Sequence, residues 1–497
     1  MRKLPAIKAD VVLAPPVSRS VTQSMFMPLG ICYLTSYLKS RGLKVVILDY
    51  KDSMYEVGEV AKRKIRERTN YLLRDVGRLN PDYFGLSCNS REFNEVVNIC
   101  KAIKLRYPHI KTVVGGAHAS IRPHDLLNSG FVDYAVMGEG EITLYELVMS
   151  KGRGLDKIDG LGWKEGNKNI INKPRALIDD LSTMPDPDYD AAAIDAYTQP
   201  TTMLVRDCFV SGVPIFTSRG CPFSCIYCAS KYILGRKIRY INPVKVVNQI
   251  ERLVKKHNIN GFYIMDDTFT LKKEHVMRFC QEIIDRKLNL VWGAETRVSL
   301  IDEDMIKIMK KAGCAQMDFG VESGSDRILK VLKKGTTSEE VIKAFDLCRK
   351  YKIRTLAMLL VGSPTETKED VEETIKVVRR IKPSSVDVNI TTPLPSTELE
   401  HMVFGDRGIP LEALANLNFK ANAIYNLSEL TLEELGQYRQ KIVGMTRGRA
   451  RFLIFTSMFS IPYIRSILRM YIRGPYKLRQ TIVNAYLTVY KRLGRPN

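Results

Sequence analysis

From Leu435 to the carboxyl terminus the chain contains no aspartate or glutamate, while arginine and lysine recur throughout. Much of the formal net charge of +22 is therefore concentrated in that stretch. No apolar run reaches the roughly 20 residues that span a bilayer. The best, residues 452–464, is too short and is interrupted by Pro462. Nor do Met1-Arg2-Lys3-Leu4 lead into an apolar stretch of signal-peptide length. Cysteine pairing of the secreted kind is missing too: most of the ten cysteines are scattered singly, as in a reducing compartment. These absences exclude a membrane-spanning or disulfide-scaffold protein. They lead us to expect a cytoplasmic one, soluble or held peripherally on the inner face of a membrane. At 497 residues and 45% hydrophobic, the chain has material for about two or three ordinary cores.

What is present is concentrated in one run, Ser218-Arg219-Gly220-Cys221-Pro222-Phe223-Ser224-Cys225-Ile226-Tyr227-Cys228. Its cysteines are spaced C-x3-C-x2-C, directly after the strand-like Pro214-Ile215-Phe216-Thr217. Three thiolates on one tight loop can hold three irons of a cubane 4Fe–4S cluster and leave the fourth open to an external ligand. A structural zinc would need a fourth protein ligand. Cys208 and His257 are the nearest candidates, and both lie outside usual finger spacing.

Upstream, residues 10–150 carry short apolar runs at 11–14, 44–48, 83–87, 112–114 and 134–137, separated by stretches long enough for crossover helices. That pattern predicts a doubly wound parallel sheet covered on both faces. Ligands of such sheets bind outside the carboxyl ends of the strands. Pro15 and Pro16, Gly115-Gly116-Ala117-His118 and Gly138-Glu139-Gly140-Glu141 occupy those places. Residues 151–207 lose the periodicity, and Met184-Pro185-Asp186-Pro187-Asp188 reads as a linker. Alternation then resumes, with strands expected at 214–219, 261–266, 291–296, 316–322, 355–361 and 385–391, and helices at 243–257, 272–287, 302–312, 338–351 and 368–381. Six units are too few for the closed eight-fold barrel.

The cysteine loop resembles that of the radical S-adenosylmethionine superfamily. Pro28-Leu29-Gly30, Tyr33-Leu34, Gly42, Asp49 and the two glycine motifs ahead of it resemble the cobalamin-binding domain of the B12-binding members. The likeness runs over residues 10–400 and implies an α/β chain. Residues 1–150 would form a cobalamin-binding domain, 151–207 a linker, 208–400 an open six-unit partial barrel and 401–497 a basic helical region. It implies cluster ligation by Cys221, Cys225 and Cys228. S-adenosylmethionine contacts are expected from Asp266, Asp267, Arg297, Glu322, Ser323, Gly362 and Pro393, one group per strand end. Cobalamin contacts are expected from Gly115, Gly116, His118, Gly138 and Glu139. The D-x-H-x-x-G motif that supplies a histidine to cobalt is absent. Cys208 reads by default as a small buried hydrophobe, and is singled out for a check because it precedes the cluster strand. Cys280, Cys314 and Cys348 read as small buried hydrophobes.

The activity this resemblance implies is formation of a 5′-deoxyadenosyl radical that functionalises an unactivated carbon, most commonly by C-methylation. An external electron donor is required. Three alternatives stay open: a radical cyclase of a tetrapyrrole or lipid, a tRNA methylthiotransferase and a non-enzymatic iron–sulfur or cobalamin sensor. The second would use Cys32, Cys88 and Cys100 for another cluster. Residues 427–451 are expected to form a helix starting near Thr431-Leu432-Glu433-Glu434. Beyond it, apolar Ile461, Ile464, Ile467, Leu468 and Tyr471 interleave with Arg465, Arg469 and Arg473. Such a stripe suits an anionic membrane surface, plain packing or nucleic acid. The aromatic–basic pairs of RNA modules are not evident. A small-molecule substrate, hydrophobic or lipid-like, is the expected partner.

Overall fold

The structure is a computed structural model that describes residues 8–16, 27–50, 59–206, 208–415 and 425–446. The basic stripe from Ile461 to Arg473 lies outside the described residues. Two compact units divide the chain: one takes the residues up to Ala196 with Ala229–Gly235 and the segment from Gly408, and the other takes the remainder.

The first unit is built on a seven-stranded sheet. Its strands are β1 (Val11–Ala14), β2 (Val45–Ile47), β3 (Tyr83–Ser87), β4 (Lys111–Gly115), β5 (Tyr134–Val136), β6 (Leu161–Glu165) and β7 (Lys168–Ile171), in the order β2-β1-β3-β4-β5-β6-β7. The first five are parallel, as their near-continuous apolar character requires. Helices α1 (Leu29–Ser40), α2 (Glu59–Leu79) and α3 (Phe93–Arg106), the short α4 (Ala117–Ile121) and α5 (Pro123–Asn128), and α6 (Gly140–Ser150) complete the unit. Val12, Phe84, Leu86 and Val114 from the strands pack with Val76, Phe93, Val96 and Ile99 from the helices. Strand order reverses between β1 and β3, the switch point where sheets of this winding hold ligands.

One boundary is corrected. Residues 161–171 are not linker: β6 runs antiparallel to β5, and β7 antiparallel to β6. Weak periodicity hid them because β7 is an edge strand without a fully buried residue.

The second unit contains the hairpin β8 (Thr201–Val205) and β9 (Cys208–Val210), strand β10 (Gly212–Ile215), the two-residue pair β11 (Ser218–Arg219) and β12 (Arg239–Tyr240), and then β13 (Gly261–Ile264), β14 (Val291–Thr296), β15 (Cys314–Glu322), β16 (Arg354–Val361) and β17 (Ser385–Ile390). Six strands form one parallel sheet, β10-β13-β14-β15-β16-β17. Among the described residues β10 and β17 do not pair, so the barrel is open. Its crossover helices are α7 (Pro243–His257), α8 (Lys273–Asp285), α9 (Glu303–Lys311), α10 (Ser338–Lys350) and α11 (Lys368–Ile381). Four of the five, all but α8, begin at a side-chain cap. Asn242 caps α7 ahead of Pro243, and Thr337 with Glu340 and Thr367 with Asp370 form capping boxes on α10 and α11. Between the strands and helix α8, Trp292 of β14 stacks on Phe262 of β13 at 5.7 Å, with Phe269 and Phe279 edge-on.

A last helix, α12 (Leu432–Gly444), starts at the expected capping box between Thr431 and Glu434 and ends before the expected residue 451. Leu435 is fully buried, and Arg439 Nε donates to the Val388 carbonyl at 2.9 Å. This part of the carboxyl-terminal region therefore packs on the barrel.

Candidate active site

The cysteine loop leaves the barrel at the carboxyl end of β10. Its base is closed by the β11–β12 pair, Ser218 opposite Tyr240 and Arg219 opposite Arg239. Within the loop, Ile226 is fully buried against Ile328, Leu332 and Leu399. Its N–H donates to the Leu332 carbonyl at 3.2 Å, and its carbonyl accepts from Leu399 N–H at 3.1 Å. An apolar residue between two cysteines thus anchors the loop. Cys225 is buried, while Cys221 and Cys228 are partly exposed. Burial pushes the Cys221 thiol up.

Two of the residues expected to contact S-adenosylmethionine are hydrogen-bonded deep within the fold. Asp266 is 1% exposed and accepts from Thr217 N–H and Ser218 Oγ, each at 2.7 Å. Burial raises its carboxyl to about 6 against those hydrogen bonds. His275 Nε2 stands 3.0 Å from Thr217 Oγ1, completing a network that pins the root of the cysteine loop. Ser323 is fully buried, 3.1 Å from Thr374 Oγ1, and accepts from Ser325 N–H. Full burial and satisfied hydrogen bonding tie both groups into the fold.

Arg297 and Glu322 face the cysteine loop itself. The Arg297 guanidinium lies 3.7 Å over the Phe223 ring, and Nη1 donates to Cys225 Sγ at 3.6 Å. Nη2 donates to the Lys334 carbonyl, and the buried Nε has no partner. Glu322, at the left-handed φ of 64°, accepts from Tyr227 Oη at 2.9 Å and from Lys334 Nζ at 2.8 Å. Tyr227, between Cys225 and Cys228, is held far above its ordinary pKa by burial and by Glu322. Asp267 is exposed beside Asp266, Gly362 N–H donates to Glu366 Oε2 at 2.6 Å, and Pro393 is buried.

Sequence reading missed three features. Lys334 sits in a lysine-rich stretch that reads as surface, yet is 5% exposed. Glu366 is 1% exposed, pushed up to about 7 by burial, with one oxygen unpartnered. Inside the barrel, Tyr263 Oη donates to Asp318 Oδ2 at 2.8 Å beside Glu295, whose carboxyl burial and Asp318 raise to about 7. Alternation along β13, β14 and β15 was the one available signal for that group. Cys208 is placed elsewhere: its sulfur accepts from Arg354 Nη1 at 3.0 Å, at the amino end of β16 and away from the strand ends that carry the loop. Cys280, Cys314 and Cys348 are buried core residues, as expected.

At the carboxyl ends of the first unit's sheet the groups are mostly backbone. Gly116 has φ +94°, and a Cβ there would stand 3.0 Å from Ser87 Oγ and 3.1 Å from Cys88 N. Gly138 has φ +67° and open space where its Cβ would be. Ser120 joins the two loops, donating to the Gly116 carbonyl and accepting from Gly138 N–H, both at 2.9 Å. A side chain at Gly116 would meet the fold itself, whereas one at Gly138 would enter open space. Two side chains do not serve these strand ends. His118 lies on helix α4 with no exposure, Nδ1 3.0 Å from Ser90 Oγ, and burial lowers it to about 4. Glu139 is 8% exposed and accepts from Ile178 N–H. Cys32, Cys88 and Cys100 are all buried, with burial raising Cys100 to about 12.

Among the described residues no three His, Cys, Asp or Glu side chains converge as ligands of one ion. A cubane cluster spreads its thiolates over separate irons. The test of fit is electrostatic. A guanidinium 5% exposed, with no carboxylate in ion-pair distance among the described residues, is costly in a protein interior. An anionic thiolate cluster at Cys225 removes that cost, so the residues fit the group.

Comparison with known proteins agrees. The Radical SAM superfamily model matches residues 215–378, and the B12 binding domain model matches residues 18–148. An uncharacterised methyltransferase of Pyrococcus horikoshii is 30% identical over 447 residues, covering 88% of this chain and 91% of the relative. The anaerobic magnesium-protoporphyrin IX monomethyl ester cyclase of Rubrivivax gelatinosus is 30% identical over 382 residues, covering 75% of this chain and 65% of the cyclase. The structure of the radical S-adenosylmethionine methyltransferase TsrM from Kitasatospora setae superposes with a TM-score of 0.64 at 20% identity, covering 77% of this chain and 73% of that one. No helix among the described residues is long and apolar enough to cross a membrane. With cobalamin, a 4Fe–4S cluster and S-adenosylmethionine as its cofactors, the chain belongs to the B12-binding family of radical S-adenosylmethionine enzymes.

Proposed function

We propose that this enzyme methylates an unactivated carbon of a hydrophobic, lipid-like substrate. The carrying observation is the three-thiol loop braced by Arg297 and by the Tyr227–Glu322–Lys334 group, in a chain matched almost end to end by a relative named a methyltransferase. When bound, the cofactors supply the chemistry: a carbon-centred radical from S-adenosylmethionine and the cluster, and a methyl group on cobalamin.

The chain's own residues hold and position. Cys221, Cys225 and Cys228 hold the cluster, with Ile226 as the anchor of the loop and Asp266 as the pin at its root. Arg297 balances the charge beside Cys225. Asp267, Gly362 and Pro393 stand at strand ends and meet S-adenosylmethionine. Gly115, Gly116 and Gly138 let the backbone approach the corrin closely, without a protein histidine for the cobalt. The hydrophobic character of the substrate is supported by the apolar and basic stripe after Ser460, which on this reading touches a membrane surface. Carbon–carbon ring closure is the second reading, favoured by the match to a cyclase.

The experiment is anaerobic reconstitution with iron, sulfide and hydroxocobalamin, followed by reductant, S-adenosylmethionine labelled in its methyl group, and a lipid extract. The expected result is 5′-deoxyadenosine together with label in an extractable lipid, and loss of both in Cys225→Ala. Deoxyadenosine with no transferred label overturns methylation in favour of ring closure.

A further inference from the structure

We propose that Arg297 sets the reduction potential of the cluster, acting through Cys225 as a positioning and charge-balancing residue. The inference rests on the reading that Cys221, Cys225 and Cys228 hold the cluster. It adds a role that strand-end placement alone did not give Arg297, which was expected to meet the cosubstrate.

Three observations carry it. First, the contact is directed: Nη1 donates to Cys225 Sγ at 3.6 Å, and hydrogen bonds to cluster sulfurs are one of the levers by which a protein tunes such centres. Second, the side chain is clamped. The guanidinium carbon lies 3.7 Å from the centre of the Phe223 ring in the loop, and the Lys334 carbonyl holds Nη2. Third, the charge is uncompensated. The neighbouring buried cation, Lys334, is matched by Glu322 at 2.8 Å, whereas Arg297 has no carboxylate partner among the described residues. The pairing of Lys334 leaves Arg297 as the net positive charge against the loop.

The direction of the effect follows from charge. Reduction adds one negative charge to a centre that already carries three thiolates. A fixed cation in a poorly solvated site stabilises the reduced form more than the oxidised one, and so raises the potential. Burial matters here, because an exposed arginine would be screened within a Debye length.

The test uses the full chain, reconstituted anaerobically, with the cluster potential read by EPR during a redox titration. Iron and sulfide content are measured on the same samples, which separates failure to bind a cluster from failure to tune one. Arg297→Met keeps the stem over Phe223 and removes the charge. Its expected result is full iron and sulfide, with the equilibrium for reduction shifted at least tenfold towards the oxidised form, about 59 mV for one electron. Arg297→Lys keeps the charge but loses the planar fork, and its expected shift is about threefold in the same direction. Full iron with an unchanged potential in Arg297→Met overturns the proposal. If Arg297→Met does not retain iron, the lysine variant decides: a shifted potential supports the role, and an unchanged one overturns it. If the wild type binds no iron at these cysteines, the underlying reading of the loop fails instead.

Discussion

The two ends that carry function are built from opposite materials. Around the cysteine loop the walls are charged and buried: Arg297, Glu322, Lys334 and Asp266 are all under 10% exposed. At the strand ends of the first unit stand the glycines Gly116 and Gly138, and the nearby Glu139 carboxylate is occupied within the fold. A small anionic cluster needs ligands and compensating charge. A large planar corrin needs room and close backbone approach. The contrast teaches that one site should fail through electrostatics and the other through shape.

The largest effect should come from Lys334→Met, which strands the Glu322 carboxylate in the interior. Breaking a buried pair on one side costs about 3–5 kcal/mol, read as a lowered denaturation midpoint. Adding Glu322→Gln should recover much of it, and no recovery would show that Lys334 matters through packing alone.

A smaller, pH-dependent effect is expected at Glu366. Its folded pKa, about 7, is above the ordinary value of 4.5, so the folded state binds more protons than the unfolded one between those limits. Its contribution is therefore fully present below pH 4.5 and lost as pH rises through 7. Glu366→Gln should remove that loss, up to about 3 kcal/mol, so the variant gains on the wild type between pH 5 and pH 8 in thermal melts. A constant difference across that range would count against a buried neutral carboxyl.

The smallest effect on the fold should come from Gly138→Ala, about 1 kcal/mol for a side chain at positive φ. Its consequence for binding should be larger, with reduced retention of hydroxocobalamin at unchanged iron content. Equal loss of both would erase the distinction between the two sites.

Much of this was legible in the chain. The spacing of Cys221, Cys225 and Cys228 identified the cluster loop because ligand geometry is local. The barrel strands and helices were legible because burial on both faces writes a short-range pattern into each segment. Residues 161–171 escaped notice since an edge hairpin has little to bury. His118 was placed on the ligand because it follows two glycines, but the fold turns its ring inward against Ser90 and Phe93.

The sequence by itself determined the chemistry available, namely three thiols in a fixed spacing, a succession of strand ends and an amino-terminal set of glycine motifs. Only the tertiary structure decided which charged side chains serve that chemistry. Asp266, Arg297 and Glu322 are legible only as strand-end polar residues and Lys334 only as a surface lysine, and their roles come from burial and from partners 12 to 95 positions away. Burial strips water from a charge and makes its nearest neighbour decisive, and that neighbour is supplied by folding.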